Sequence, residues 1–561
     1  MKQQMATLAT QYEKAYFNRF PDLGMFWGKE DIPLDRFTDN ALDAVSEWEA
    51  IEDEFLLKLD QIDEKYLIDT PEHITYKLLK QSLEANKACR QCQDQLWDLD
   101  PLFGWHIKIG LIAEKQPLGS PEYRASAFRK YSGLPTLIEN EIQNLSLGIK
   151  KGYTAPKPVV LRIINQIEIM LEYAIEDNPI SILTTRDTDA DFKKQITVLI
   201  EEKINPALQK FLSFLRSEYL DNARNSIGLS EVPNGAACYE AKIMRETTLA
   251  VTPEEIFAFG ESCMSHIHAE IQSIGEKIFG TNNILEIFEK INTHAEYLFE
   301  SEQAMLDYNF AALSRVKDNM EDWFDYMPRA DCTIKPYPSH RAKTGAPGEY
   351  HPPSIDGSRP GTYYINTHES KKRSRADQEA TLFHELIPGH HYQIALTQQD
   401  PTHHSLDQYL WNCGYGEGWA LYTERLAQEM GLYTDEISIL GMLSNEALRA
   451  ARLVVDPGIH YMGWSRQKAV DYLKKHTAFD ENILQSEVDR YIMLPGQATS
   501  YMLGQKEIFQ LRDYAAQALG EKFDIRDFHH QVLKDGAVTL PMLRNNILDW
   551  VESWDEQQDE G

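Results

Sequence analysis

Three histidines and a glutamate fall within eight residues, in the segment HELIPGHH at positions 384–391. Proteins bind zinc through imidazole nitrogens and carboxylate oxygens, and a glutamate next to such a ligand can act as general base on a water molecule at the metal. Two further acids, Glu417 and Glu424, follow seven residues apart, which places them on one face of a helix. These residue types indicate a zinc site that could hydrolyse an amide-like bond.

The spacing of the histidines differs from the common zinc-binding helix, in which two histidines lie four residues apart. Here His390 and His391 come six and seven residues after His384. On an unbroken helix His390 would point away from His384, and His391 would lie about 10.5 Å further along the axis. Pro388 removes a backbone donor and Gly389 can adopt conformations closed to other residues, so we expect the helix to break and restart there. Either later histidine could then reach the metal; we favour His390 and keep His391 as the alternative.

Helical periodicity dominates the elements that must position these residues. Apolar residues recur three and four apart over much of residues 1–330, and the pattern returns after residue 374. Between Thr333 and Thr367 the chain is rich in Pro, Gly and aromatic residues, which predicts short strands at 333–337, 348–351 and 362–366. We therefore expect a mainly α protein with a small β-sheet or hairpin beside the active-site helix. We expect an N-terminal helical region at 1–230 and a metal-binding region at 231–561, joined in one large body.

Composition restricts the classes of function. The 561 residues carry 56 Lys and Arg against 87 Asp and Glu, a net charge of −31, and 42% are hydrophobic. This apolar content can form a large core, while the negative charge disfavours nucleic acid and anionic membranes as partners. There is no apolar run long enough for a membrane span and no recognisable signal peptide, and the six cysteines are few for the length. We expect a cytoplasmic protein with reduced thiols; the sequence does not give its oligomeric state.

The chain resembles a large bacterial family catalogued as domain of unknown function 885. The segments that carry the resemblance are HELIPGHH, GEGWALYTE at 416–424, ARLVVDPGIH at 451–460 and RYIMLPGQATSYMLG at 490–504. That family in turn resembles gluzincin-type zinc metallopeptidases, which bind the metal through two histidines and a downstream glutamate. The resemblance implies a zincin-like helical body with one zinc per chain, and the similarity of GEGWA to the ligand segment of such aminopeptidases favours Glu417 as the third ligand.

The resemblance also implies roles for residues around the metal. Glu385 would be the general base and then the proton donor to the leaving amine, and Tyr501 and His460 are candidates for stabilising the oxyanion. Arg490 and Gln497 are candidates for binding a substrate carboxylate or amide. Each of these four residues also has a purely structural interpretation: an Arg490–Glu487 ion pair, for example, or a phenol at the edge of the core.

The strand around Tyr364 has two interpretations. Gluzincin-like enzymes present an edge strand to an extended peptide, and the segment 361–366 is suited to such β-addition. A small stabilising hairpin is the alternative. The resemblance implies a peptidase that acts on small peptides. A hydrolase of another amide, such as an N-acyl amino acid, and a non-catalytic helical scaffold that binds zinc are the alternatives.

Overall fold

The computed structural model describes residues 1–337, 348–354 and 359–559. The chain forms two compact units, the first from Met1–Tyr66 and Asn86–Cys238 and the second from Leu67–Ala85 and Tyr239–Gly561. The sequence predicted a division at residue 230. The second unit instead begins at Tyr239 and also includes Leu67–Ala85, a helical segment that lies far away in the sequence.

The first unit is helical, and its helices bury the apolar residues that recur three and four apart. Val159, Ile163 and Ile167 are examples, each with 7% or less of its surface exposed. The helices that lie wholly in this unit are Lys2–Arg19, Pro21–Phe26, Leu42–Asp60, Trp105–Lys115, Pro121–Ser132, Leu134–Lys151, Lys157–Glu172, Ile182–Thr185, Ala190–Leu199, Asn205–Phe214 and Leu220–Asn222. The last three are joined by single π-helical turns into one continuous rod.

Cys92 and Cys238 form a disulfide within the first unit. The expectation that all six cysteines are reduced is therefore wrong for this pair. The two cysteines are 146 residues apart, so no local pattern in the sequence could have indicated that they meet. Cys89, the close neighbour of Cys92 in sequence, is a free buried thiol.

Helices also make up most of the second unit. Pro71–Cys89 and Gly235–Thr247 each run across the division between the two units. The helices that lie wholly in the second unit are Pro253–Phe279, Ile284–Thr293, Glu302–Lys317, Gln378–Glu385, His390–Gln399, Cys413–Glu429, Glu436–His460, Arg466–His476, Glu481–Met493, Ser500–Leu519, Ile525–Leu533 and Leu540–Asp559. Among the described residues, no helix has the length and apolar character needed to cross a bilayer.

A three-stranded sheet accompanies the helices of the second unit. Its strands are β1 (Cys332–Pro336), β2 (Gly348–His351) and β3 (Gly361–Ile365). The strand order is β1-β3-β2, with β1 parallel and β2 antiparallel to β3. The predictions of a mainly helical protein and of three short strands are confirmed. The interpretation of segment 361–366 as an edge strand is wrong, because β3 is the central strand and both of its backbone edges are already paired.

Two long helices cross closely in the core of the second unit. Helix Cys413–Glu429 packs against helix Ser500–Leu519, and Gly418 faces Gly504 at the crossing. A Cβ atom on Gly418 would lie 2.5 Å from the Gly504 backbone, so only glycine allows this approach. Because Gly418 directly follows Glu417, this close packing fixes the backbone position of Glu417 on helix Cys413–Glu429.

Candidate metal centre

His384, His390 and Glu417 converge in the second unit. Their potential ligand atoms all lie within 4.8 Å of one another. Glu417 Oε2 is 3.5 Å from Nε2 of His384 and 3.4 Å from Nε2 of His390. Ligand atoms bound to tetrahedral zinc at 2.0–2.1 Å are about 3.4 Å apart. The two distances from Glu417 to the histidines therefore match those of a zinc site.

The break in the helix brings the two histidines together. Helix Gln378–Glu385 ends one residue after His384, and a new helix begins at His390. Gly389 packs so tightly that a Cβ atom there would lie 1.9 Å from the carbonyl oxygen of His384. The indole N–H of Trp419 donates a 2.9 Å hydrogen bond to the carbonyl of Pro388 and holds the turn. The predicted break at Pro388-Gly389 is confirmed.

Glu424 orients the first histidine. Its Oε1 accepts a 2.9 Å hydrogen bond from Nδ1 of His384, and the residue is 1% exposed. Because Nδ1 is engaged, Nε2 of His384 remains directed toward Glu417. A carboxylate behind a ligating histidine is the usual means of fixing its ring and raising its basicity. Glu417 therefore faces both histidines, whereas Glu424 contacts the far nitrogen, Nδ1, of His384.

The electrostatics of the cluster favour a positive charge between its members. Burial alone would lower the pKa of His384, but hydrogen bonds to Glu417 and Glu424 outweigh it and raise this pKa to about 9. Burial would likewise raise the pKa of Glu417, yet the two imidazoles hold it well below its ordinary value. Without a metal the cluster therefore binds a proton, and a cation can replace that proton.

His391 points elsewhere. Its Nδ1 is 2.9 Å from the Tyr350 hydroxyl, and its Nε2 is 3.1 Å from the carbonyl oxygen of Ala330. Burial lowers its pKa to about 4, so the ring is neutral at physiological pH. Gly361 of β3 leaves room for the ring, since a Cβ atom there would lie 2.3 Å from Nδ1. His391 thus connects helix His390–Gln399 to the sheet, and both of its nitrogens have partners.

Glu385 follows His384 at the end of the same helix and is partly exposed. It lies toward the sheet, since its negative charge adds to burial in raising the pKa of Tyr350 and of Tyr363. Among the described residues, none donates a hydrogen bond to its carboxylate.

Tyr501 lies on the other helix of the crossing, with its ring centroid 6.4 Å from that of His384. The guanidinium of Arg452 stacks over the phenol ring at 4.5 Å. Burial raises the pKa of Tyr501 to about 12, so its hydroxyl keeps its proton at neutral pH. This predicted residue is therefore next to the cluster and in the protonation state of a hydrogen-bond donor.

The other predicted residues are engaged in the fold. His460 is fully buried, and its Nε2 is 2.9 Å from the carbonyl oxygen of Tyr491. The guanidinium of Arg490 contacts both carboxylate oxygens of Glu487, at 3.3 and 3.0 Å, and also the Gln497 side chain at 2.5 Å. These contacts favour the structural interpretation of His460 and Arg490.

The last two predicted residues, Gln497 and Tyr364, also have partners within the protein. The amide nitrogen of Gln497 lies 3.5 Å from the sulfur of Cys413. Tyr364, on the central strand, stacks against Tyr337 with ring centroids 6.3 Å apart. These contacts engage both side chains within the fold.

Sequence reasoning missed two residues near the cluster. Trp411 lies with its ring centroid 6.2 Å from that of His390. Arg452 lies over Tyr501 and pairs with Glu487 at 2.8 Å. The one available signal for Trp411 was its position six residues before Glu417 in the sequence. Arg452 pairs with an acid that lies 35 residues away in sequence, so no local pattern could have indicated this contact.

The chain belongs to the family described as bacterial protein of unknown function, DUF885, whose model matches residues 21–547. The crystal structure of a candidate lipoprotein from Colwellia psychrerythraea is similar, with a TM-score of 0.88 and 24% identity over 98% of this chain and 99% of that one. A candidate lipoprotein of unknown function from Shewanella oneidensis has a TM-score of 0.78 and 16% identity over 97% and 99%. These likenesses show the fold alone. No curated protein matches the chain in sequence.

Proposed function

We propose that this protein is a zinc-dependent hydrolase that cleaves small peptides. The observation that carries the proposal is the convergence of His384, His390 and Glu417 at spacings that suit tetrahedral zinc, with Glu385 next to the first ligand. Two histidines and a downstream glutamate form the ligand set of gluzincin-type peptidases, which these residues resemble. Zincs that only stabilise a fold have four protein ligands. The cluster in the described part of the chain has three, which leaves a position for water.

Bound zinc would acidify a water molecule and polarise the carbonyl of the scissile bond. Glu385 would accept a proton from the attacking water and then deliver it to the leaving amine. Tyr501, which is protonated at neutral pH, donates a hydrogen bond to the negative charge that develops on the carbonyl oxygen. Glu424 keeps His384 oriented throughout.

A peptide substrate is the choice favoured by the gluzincin resemblance. A hydrolase of another amide, such as an N-acyl amino acid, would use the same residues in the same roles. A zinc-binding scaffold without activity would have no use for Glu385, whose carboxylate receives no hydrogen bond from the described residues. The presence of this glutamate therefore favours an enzyme.

The test is digestion of a mixed peptide library by the zinc-loaded protein, with products read by mass spectrometry. Glu385→Gln should retain zinc and lower cleavage at least 100-fold, the usual scale for loss of a general base. Glu369→Gln, a change in an exposed acid that pairs with Lys372, is the matched control and should cleave normally. Cleavage at the wild-type rate by Glu385→Gln would refute the proposed mechanism. If no peptide is cleaved, an N-acyl amino acid panel decides between the two amide classes.

A further inference from the structure

Trp411 is an exposed aromatic ring next to a largely buried polar cluster. It exposes 41% of its surface, whereas His384 and His390 expose 3% and 9%. Its ring is tilted by 58° relative to that of His390, with centroids 6.2 Å apart. Apolar surface in water is unfavourable, by about 25 cal/mol per Å². A ligand that reaches His390 can therefore gain free energy by covering this ring.

The position of the ring is fixed by the segment that carries Glu417. A Cβ atom on Gly416 would lie 2.1 and 2.2 Å from Cζ2 and Cη2 of Trp411. The indole edge is thus seated on the backbone of the residue that directly precedes the glutamate ligand. This close contact fixes the position of the ring relative to the candidate metal ligands. A side chain that selects among substrates needs such a fixed position.

The chemistry of the exposed surface selects the kind of group that it can contact. The indole ring is apolar apart from its single N–H, so the exposed surface that it offers to a ligand is mostly apolar. Cations also bind aromatic faces, but a lysine or arginine side chain here would lie close to the positively charged metal that His390 binds. A neutral apolar group, and an aromatic one above all, fits both conditions.

We propose that Trp411 forms the wall of a substrate subsite for an apolar, preferentially aromatic, side chain next to the bond that is cleaved. This inference rests on the proposed peptidase function and specifies its substrate class. Contacts between aromatic rings are worth a factor of about 2 to 10 in affinity beyond the area that they bury. Peptides with an aromatic residue beside the cleaved bond should therefore be preferred.

The binding experiment uses the zinc-loaded Glu385→Gln protein, which binds peptides without cleaving them. Calorimetry compares trialanine with the three peptides in which phenylalanine replaces each alanine in turn, and with the corresponding lysine peptides. At least one phenylalanine peptide should bind about tenfold more tightly than trialanine. Adding Trp411→Ala should abolish most of this difference, and Trp411→Phe should keep most of it. Trp27→Ala, which removes another exposed tryptophan at 49% exposure, should leave it unchanged.

Several outcomes would overturn the inference. They are equal binding of the phenylalanine peptides with and without Trp411, tighter binding of the lysine peptides, and no binding of any peptide. Zinc content is measured for each variant, so that a loss of metal is not mistaken for a loss of the subsite. If the wild-type protein cleaves no peptide while binding depends on Trp411 as described, the proposed peptidase function fails and the subsite stands.

Discussion

At the scale of single residues, the choice between neighbours was decided by hydrogen bonding. His390 and His391 are adjacent and identical in type, so the sequence could rank them only by the geometry expected of a broken helix. In the structure both nitrogens of His391 have partners on the sheet side, whereas His390 faces Glu417 at 3.4 Å. Glu417 and Glu424 differ in the same way, because Glu424 is bound to the back of His384.

We predict that alanine substitutions of His390 and His391 impair different properties of the protein, zinc binding in one case and stability in the other. His390→Ala should lose zinc, because it removes one of three protein ligands. His391→Ala should keep zinc but lower the free energy of unfolding by about 1–3 kcal/mol, the cost of breaking buried hydrogen bonds. Metal analysis and urea denaturation measure the two effects. Loss of zinc in His391→Ala with full retention in His390→Ala would reverse the assignment of the ligand.

Glu424 should affect the metal without touching it. Glu424→Gln keeps an oxygen acceptor for His384 but removes the negative charge, so zinc affinity should fall about 10-fold or more. Competition with a chromophoric chelator measures this affinity. Glu429→Gln, on the same helix and exposed, is the control. Equal zinc affinity of the wild type and Glu424→Gln would show that this carboxylate does not support the ligand.

At the scale of secondary-structure elements, local sequence patterns predicted where the strands lie but not which strands pair. The three strands lie within a residue of their predicted positions. Strand order is a long-range property, so the central position of β3 could not be deduced from its own residues. The turn at Pro388-Gly389 was predictable, because proline and glycine impose it locally.

The turn itself can be tested at Gly389. Gly389→Ala should destabilise the protein by several kcal/mol and weaken zinc binding, because the new Cβ would lie 1.9 Å from the carbonyl oxygen of His384. Gly133→Ala is the control, since its nearest atom would be 3.2 Å away and its backbone is helical. Thermal unfolding and zinc content are the measurements. A Gly389→Ala protein with wild-type stability and zinc content would contradict the tight turn.

At the scale of the whole molecule, chain segments that are distant in sequence meet. The inclusion of Leu67–Ala85 in the second unit and the Cys92–Cys238 disulfide of the first both depend on packing across long stretches of chain. Neither has a local signal. The same holds for the contacts of Asp456. Its Oδ1 accepts hydrogen bonds from the Tyr239 hydroxyl and from the Gly496 N–H, which lie far away in sequence.

Asp456 should make the stability of the protein depend on pH. It is fully buried, and burial raises its pKa to about 7. The folded state thus holds this proton more tightly than the unfolded state, so the stabilisation is complete below pH 4 and is lost as the pH rises through 7. Asp456→Asn keeps the acceptor and removes the charge. Between pH 5.5 and 8, wild-type stability should fall by roughly 2 kcal/mol more than that of the variant.

Urea denaturation of both proteins at the two pH values, with chelator present throughout, measures this difference. The chelator removes any contribution from metal binding, which itself depends on pH. Parallel pH profiles for the wild type and Asp456→Asn would mean that this carboxyl group does not carry a raised pKa.

The most direct test of the central claim is the metal content of the purified protein, paired with its cleavage of a peptide library before and after chelation. The account predicts about one zinc per chain, which is the capacity of a single three-ligand cluster, cleavage that stops when the metal is removed, and recovery when zinc is returned. Protein that binds no metal, or cleavage that continues unchanged in the chelated protein, would contradict it.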